Sequence, residues 1–269
     1  MPTNRSPRLG THASISVSAM LNVLLAVTIG LVVAQVALYL TTIYLHRALS
    51  HRALTLSPVT AAVCRILTWM LTGIRPRQWV AVHRKHHAFT DRVGDPHSPV
   101  LLGYATVQWT NVMLYRKVAR DPSAVNRYAR DLPPDRWDRV LFDHSLVGLG
   151  LGVGLLFVIF GWEITLIASL VHTVYYLVGN GAINAVGHHW GRRPYDNLAT
   201  NNQWLAWLVA GEGLHNNHHA ATTSGRLSLA KGEFDPAWWV VRLMVRCKWA
   251  TLRHENIEPK TPRRVSAGV

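Results

Sequence analysis

Eight of the fifteen histidines in this chain fall into three short clusters that a fold must bring together from opposite ends of the sequence. They read His46-Arg-Ala-Leu-Ser-His51, His83-Arg-Lys-His86-His87 and His215-Asn-Asn-His218-His219, and a ninth, His188, follows Asn184 by four residues. Imidazole suits Fe, Zn, Cu and Ni, and a set this large exceeds what one ion coordinates. The pattern therefore points to a multinuclear, nitrogen-ligated metal centre.

Residues at i, i+3 and i+4 project from one side of an α-helix, so His83, His86 and His87 are expected to face one point, as are His215, His218 and His219. Asn184 and His188 share a face for the same reason. At about 100° per residue, His46 and His51 lie roughly 140° apart on a regular helix. The expectation is that the helix ends between them and that they serve different ions. For His12, His97, His144, His172, His189 and His254 an ordinary packing or surface role is the simpler reading, although His97 and His189 lie close enough to the clusters to support ligands.

The 269 residues suffice for one domain, read as spanning 1–269, with no internal repeat. Cys64 and Cys247 stand far apart without a CxxC partner, which excludes a disulfide framework or a sulfur-ligated metal. A net charge of +14 suggests anionic partners such as lipid headgroups, a CoA phosphate or an acidic electron carrier. Nucleic acid is set aside because of the membrane segments.

From Thr11 to Leu45 no residue carries a fixed charge. As a helix this would be about 50 Å long, more than the ~30 Å hydrocarbon core needs but short for two crossings. One long or tilted span is preferred over a tight hairpin. Residues 146–187 are apolar enough to cross twice, with a turn at Gly161. The segment 54–74 is apolar but contains Pro58 and Arg65, and a crossing there would put the first two clusters on opposite sides of a bilayer. It is therefore read as re-entrant or interfacial. Residues 188–254 form a cap, and 255–269 a loose tail. Arg and Lys concentrate on the cluster side, at 47, 52, 75, 77, 84, 85, 116, 117, 192 and 193, which makes that side cytoplasmic. The fold class expected is an all-α integral membrane protein with three or four transmembrane helices and a cytoplasmic helical cap. Asp235 is expected to cap a helix starting at Pro236, either interfacial or packed on the domain.

A metallohydrolase would show an HExxH glutamate or a carboxylate beside a metal-bound water, and neither stands out. Redox-active iron at the mouth of an apolar channel instead suits oxidation of a hydrocarbon by O2, because an unactivated methylene offers neither an acidic proton nor an electrophile.

The boxes HRALSHR, HRKHHAFTDRVGDPHSP and GEGLHNNHH, with NAVGHHWGRRPYDN between the last two, closely resemble the membrane-bound fatty acyl desaturases of the stearoyl-CoA (delta-9) type, from about residue 40 to 245. The resemblance implies two Fe2+ ions, O2 and two electrons, and insertion of a cis double bond into a saturated acyl chain. It implies iron ligation by His46, His51, His83, His86, His87, His188, His215, His218 and His219, with Asn184 reaching one iron through water. Asp95 and Glu212 would orient imidazoles.

The chain departs from the animal members at Ala81-Val82, where an Arg-Asp pair that helps hold CoA is absent, while Arg116-Lys117 matches a basic pair facing the CoA. Acyl-CoA, acyl carrier protein and acyl-lipid thus stay open as carriers. The amino-terminal half of the family's scaffold reads as shortened. No haem-binding HPGG module is present, so a separate ferredoxin-, rubredoxin- or cytochrome b5-like donor with a reductase is implied. Arg84, Arg116, Lys117, Arg192 and Arg193 are expected to border the entrance and bind substrate or donor. Two other functions stay open: a di-iron alkyl or fatty acyl hydroxylase, and a metal-handling membrane protein.

Overall fold

The computed structural model describes residues 17–254. The first residues of the 11–45 segment and the expected tail at 255–269 lie outside the described residues. Helix α1 (Val17–Leu40) runs directly into a π-helical turn, Thr41–Ser50. Then come a short strand β1 (Leu54–Leu56) and the helices α2 (Pro58–Thr72), α3 (Pro76–Phe89), α4 (Pro99–Leu102), α5 (Tyr104–Ala119), α6 (Pro122–Tyr128) and α7 (Ser145–Ala185). The cap adds α8 (Gln203–Leu208), α9 (His215–Ala220), α10 (Pro236–Arg246) and β2 (Ala250–Leu252).

Local chemistry sets several of these boundaries. Proline occupies the first turn of α2, α3, α6 and α10, where its missing N–H costs nothing. Ser57, Asp121 and Asp235 cap their helices by accepting from the backbone N–H of Thr60, Ser123 and Trp238. Gly73 ends α2 at φ 63°, a left-handed conformation that glycine adopts without a Cβ penalty.

Among the described residues two helices are long and apolar enough to cross a membrane, Val17–Ser50 and Ser145–His188. The second breaks at Gly161, whose φ of 76° and ψ of 177° lie outside helical space. Leu149 lies against Gly73, while His172 Nε2 donates to the carbonyl of neighbouring Leu71 at 2.8 Å. On a straight helix those two residues would stand about 35 Å apart. The two arms of α7 therefore lie side by side. The second arm packs closely on α1, since a Cβ placed on Gly30 would stand 2.6 Å from the Ala168 carbonyl oxygen.

The all-α expectation needs one correction. Residues 54–56 pair antiparallel with 250–252, in the register Leu54↔Leu252. The short ladder is one closure of the cap onto the end of the first long helix, and α10 makes another by packing Ala237, Val241 and Met244 against Ile43, Ala48 and Leu54. Beneath them Arg47, 1% exposed, grips Asp235 at 3.0 Å and donates to Gly225 O at 2.9 Å. Removing one partner of so deep a pair strands a charge.

Candidate metal centre

The nine sequence-nominated histidines converge into two groups. His46, His51, His83, His87 and His218 form one; His86, His188, His215 and His219 form the other, with the ligand atoms of each group within 4.8 Å of one another. Helices α3 and α9 each supply both groups. On α3, His83 and His87 turn to the five-member group and His86 to the other; on α9, His215 and His219 join the four-member group and His218 the five. The expectation that each triplet faces a single point is thereby corrected. Residues at i and i+4 differ by about 40° of rotation, whereas i+3 and i+4 differ by about 100°. One helix can therefore present side chains to both groups.

The expectation for His46 and His51 is corrected too. Both join the five-member group, because the chain there is π-helical and closes its hydrogen bonds at i+5, as in His51 N–H to His46 O at 3.1 Å. Widening the turn brings the two rings to a centroid distance of 4.8 Å. The expected helix end is found, with His51 as the capping residue.

Three buried carboxylates back the rings. His46 Nδ1 donates to Glu212 at 2.7 Å, His86 Nδ1 to Asp95 at 3.0 Å, and His188 Nδ1 to Asp91 at 2.7 Å. Each bond fixes the tautomer with the proton on Nδ1 and leaves the Nε2 lone pair facing inward. Glu212 and Asp95 were nominated from sequence; Asp91 was missed. Its only signal is its place inside the second box, four residues before Asp95, and Asp91 gains its role by folding back, with φ 56°, against a histidine 97 positions away. Asp95 also accepts from the backbone N–H groups of Asp91 and His97, tying this loop together.

The donor set fits metal ions. Inward-facing nitrogens approach closely: His51 and His83 Nε2 atoms are 2.7 Å apart, His87 and His218 2.9 Å, His46 and His218 3.1 Å, and His86 and His219 3.3 Å. Two nitrogens bound at 2.0–2.1 Å to one ion stand roughly 3 Å apart. Among the described residues His188 Nε2 is buried without a hydrogen-bond partner, as a ligand atom would be. Burial, reinforced by neighbouring imidazoles, holds His83, His87, His215, His218 and His219 well below the ordinary histidine range, so they are neutral and able to ligate. Burial alone would raise Asp95, but the His86 hydrogen bond and charge outweigh it and bring it down to about 2.

Asn184 lines a small pocket at the junction of the two groups, together with His46, His83, His215, Asn111 and Tyr115. His97 faces it as well, buried, with its ring 4.8 Å from that of His86, whereas His189 turns to Tyr104 and Trp190, tilted against the first and edge-on to the second. Trp79, Asn111, Tyr115 and Asn180 are shared with a second, much larger cavity of about 860 Å³ between α2, α5 and the two arms of α7. Arg75, Arg116 and Arg120 line one end of it.

The nominated basic residues separate. Arg116 lines the large cavity; Lys117, Arg192 and Arg193 are exposed and line neither cavity. Arg84 is turned inward, donating to the carbonyls of Leu49, Ser50 and Tyr128 and to Asp131, and so staples α3 to the π-helical turn of the first box and to the end of α6.

A family model described as fatty acid desaturase matches residues 20–223. An acyl-CoA C20 Delta5-desaturase of Anemone leveillei is 30% identical over 207 residues, covering 76% of this chain and 65% of the relative. A chloroplastic palmitoyl-monogalactosyldiacylglycerol delta-7 desaturase of Arabidopsis thaliana is 30% identical over 220 residues, covering 78% and 57%. An sn-1 stearoyl-lipid 9-desaturase of Synechocystis sp. is 28% identical over 207 residues, covering 76% and 63%. The matched part of the chain thus spans 57% to 65% of these relatives.

Proposed function

Because the chain belongs to the fatty acid desaturase family, we propose that it inserts a cis double bond, of delta-9 type, into a saturated acyl chain carried as acyl-CoA or acyl-lipid. In the balanced reaction two hydrogens leave the chain, and with two electrons and two protons from a donor they reduce O2 to two waters. The observation that carries this reading is the pair of convergent histidine groups opening onto a pocket continuous with a large, mostly apolar cavity.

Two iron ions would supply the O2 chemistry that attacks an unactivated methylene. His46, His51, His83, His87 and His218 would hold one, and His86, His188, His215 and His219 the other, with Asn184 acting through water. Glu212, Asp95 and Asp91 hold the protons on Nδ1 and keep the rings oriented. Trp79, Val82 and Ile183 wall the pocket and keep it dry, while the adjoining cavity accommodates the alkyl chain. Lys117, Arg192 and Arg193, exposed outside both cavities, would dock an acidic ferredoxin-, rubredoxin- or cytochrome b5-like donor served by a reductase.

In the bilayer, α1 and the two arms of α7 would make three crossings, with α2 in the interface and the metal centre on the cytoplasmic face. Single cysteines at Arg52, Lys85, Arg193 and Arg226 should then all label from the cytoplasmic side; labelling of Arg52 and Lys85 from opposite sides overturns this arrangement. For the reaction itself, mass spectrometry of lipids from cells expressing the protein should show chains lighter by two hydrogens. Gain of one oxygen instead would make it a hydroxylase.

A further inference from the structure

The large cavity is not a closed tunnel. Its walls include Leu146, Val153 and Leu155 on one arm of α7 and Leu177 on the other, which are 83%, 43%, 54% and 43% exposed. These are also residues of the apolar hairpin, so the cavity is a groove open sideways on the face that hydrocarbon would cover. From Ser145 to Leu156 it follows the first arm for about 17 Å, close to half of a ~30 Å hydrocarbon core and hence the depth of one leaflet.

The opposite end is cationic. Arg75, Arg116 and Arg120 line it, and no carboxylate does. Arg75 is anchored by donating to the Asp143 carbonyl, with the Asp143 carboxylate 3.7 Å away, two residues before α7 begins. Among the described residues Arg116 and Arg120 make no ion pair. The guanidinium end thus sits where the hairpin starts, at headgroup level, and guanidinium groups match phosphate oxygens. Trp79, Asn111, Tyr115 and Asn180 line both this groove and the pocket at the histidines, so a chain lying in the groove has a continuous path inward.

We propose that the substrate is a phosphate-headed membrane lipid that enters sideways from its own leaflet, its headgroup held by Arg75, Arg116 and Arg120 and one acyl chain bent from the groove into the histidine pocket. This rests on the acyl-chain reading above and selects within it, favouring a phospholipid over a water-borne acyl thioester and over a neutral glycolipid. A thioester arriving from water would have no need of an opening along the lipid face, and a sugar headgroup would leave Arg116 and Arg120 without an anion.

The test uses iron-loaded full-length protein in nanodiscs of saturated phosphatidylglycerol and saturated monogalactosyldiacylglycerol, with a chemical reductant and, separately, added saturated acyl-CoA. Double bonds should appear in the phosphatidylglycerol chains at least tenfold faster than in the other two. Arg116→Gln/Arg120→Gln should erase that preference with iron content unchanged, and Thr173→Trp, which fills the groove from an exposed position, should slow phospholipid turnover similarly. Preferred conversion of acyl-CoA, or equal conversion of the galactolipid, overturns the proposal. Native mass spectrometry of the metal-free protein gives an answer independent of turnover: phosphatidylglycerol should stay bound to the parent and be lost from the double arginine variant. Retention by both overturns the proposal even if no substrate is desaturated, whereas absence of turnover on every substrate counts against the desaturase reading alone.

Discussion

The two histidine groups differ in how many ligands they have and in how those ligands are backed. The five-member group rests on the π-helical end of the first long helix, with one carboxylate, Glu212, behind His46. The four-member group has one ring fewer but two carboxylates, Asp95 and Asp91, behind His86 and His188. Where ligands are plentiful, the loss of orientation at one ring is shared among the rest. Where they are few, each must be held, and one of the four, His215, also lines the pocket with Asn184.

The sharpest break comes from the ligands themselves. His83→Ala or His87→Ala in the larger group, and His215→Ala or His219→Ala in the smaller, should abolish turnover, with bound iron falling from about two per chain toward one. Full activity in any of these four would remove that residue from the ligand set. The pattern of loss, read by iron analysis and spectroscopy, should sort the variants as the structure does, His83 with His87 and His215 with His219.

A smaller effect should separate the backing carboxylates. Asp91→Asn and Asp95→Asn should each weaken metal binding in the four-member group by roughly 10–100-fold, as loss of an orienting partner does elsewhere. Glu212→Gln should weaken the five-member group by less, because four other rings remain. Equal losses in a competitive metal titration would refute the comparison. Asn184→Ala should differ in kind, reducing turnover about tenfold while both ions stay bound.

Acid gives the mildest probe, and it acts on the metal-free protein. The cluster histidines are held below their unfolded value near 6.5, so between the folded and unfolded values the unfolded chain binds more protons. Stability contributed by these groups is fully present above about pH 6.5 and declines as pH falls toward the folded values. Each such histidine adds up to about 1.4 kcal/mol per pH unit to that slope. His218→Gln should flatten it by about one proton in denaturation midpoints taken from pH 7.5 to 5.5; an unchanged slope would mean that His218 does not titrate in that window.

Helical spacing singled out the clustered histidines and paired Asn184 with His188, because residues that share a helix face leave a period in the sequence, whereas Asp95 and Glu212, which hydrogen-bond to His86 and His46, were named only from the resemblance to the desaturases. Asp91 left none, since its partner His188 lies across a fold. The basic residues show the same limit: Arg84 resembles the others in sequence, yet its guanidinium is spent on three carbonyls and Asp131, while Arg75 and Arg120, unremarked at the entrance, line it beside Arg116. Long-range partners and cavity walls carry no periodic signature.

Composition and spacing by themselves determined that the chain would be helical and apolar in long segments and would gather its clustered imidazoles together. The break at Gly161 was also legible, because this glycine stands two residues before Glu163, the one residue of fixed charge in the apolar run 146–187. Only the tertiary structure decided how the rings divide. A helix fixes the angle between neighbouring side chains, about 40° or 100°, but which of the two histidine groups lies along each direction depends on where α3, α9 and the π-helical turn come to rest against one another.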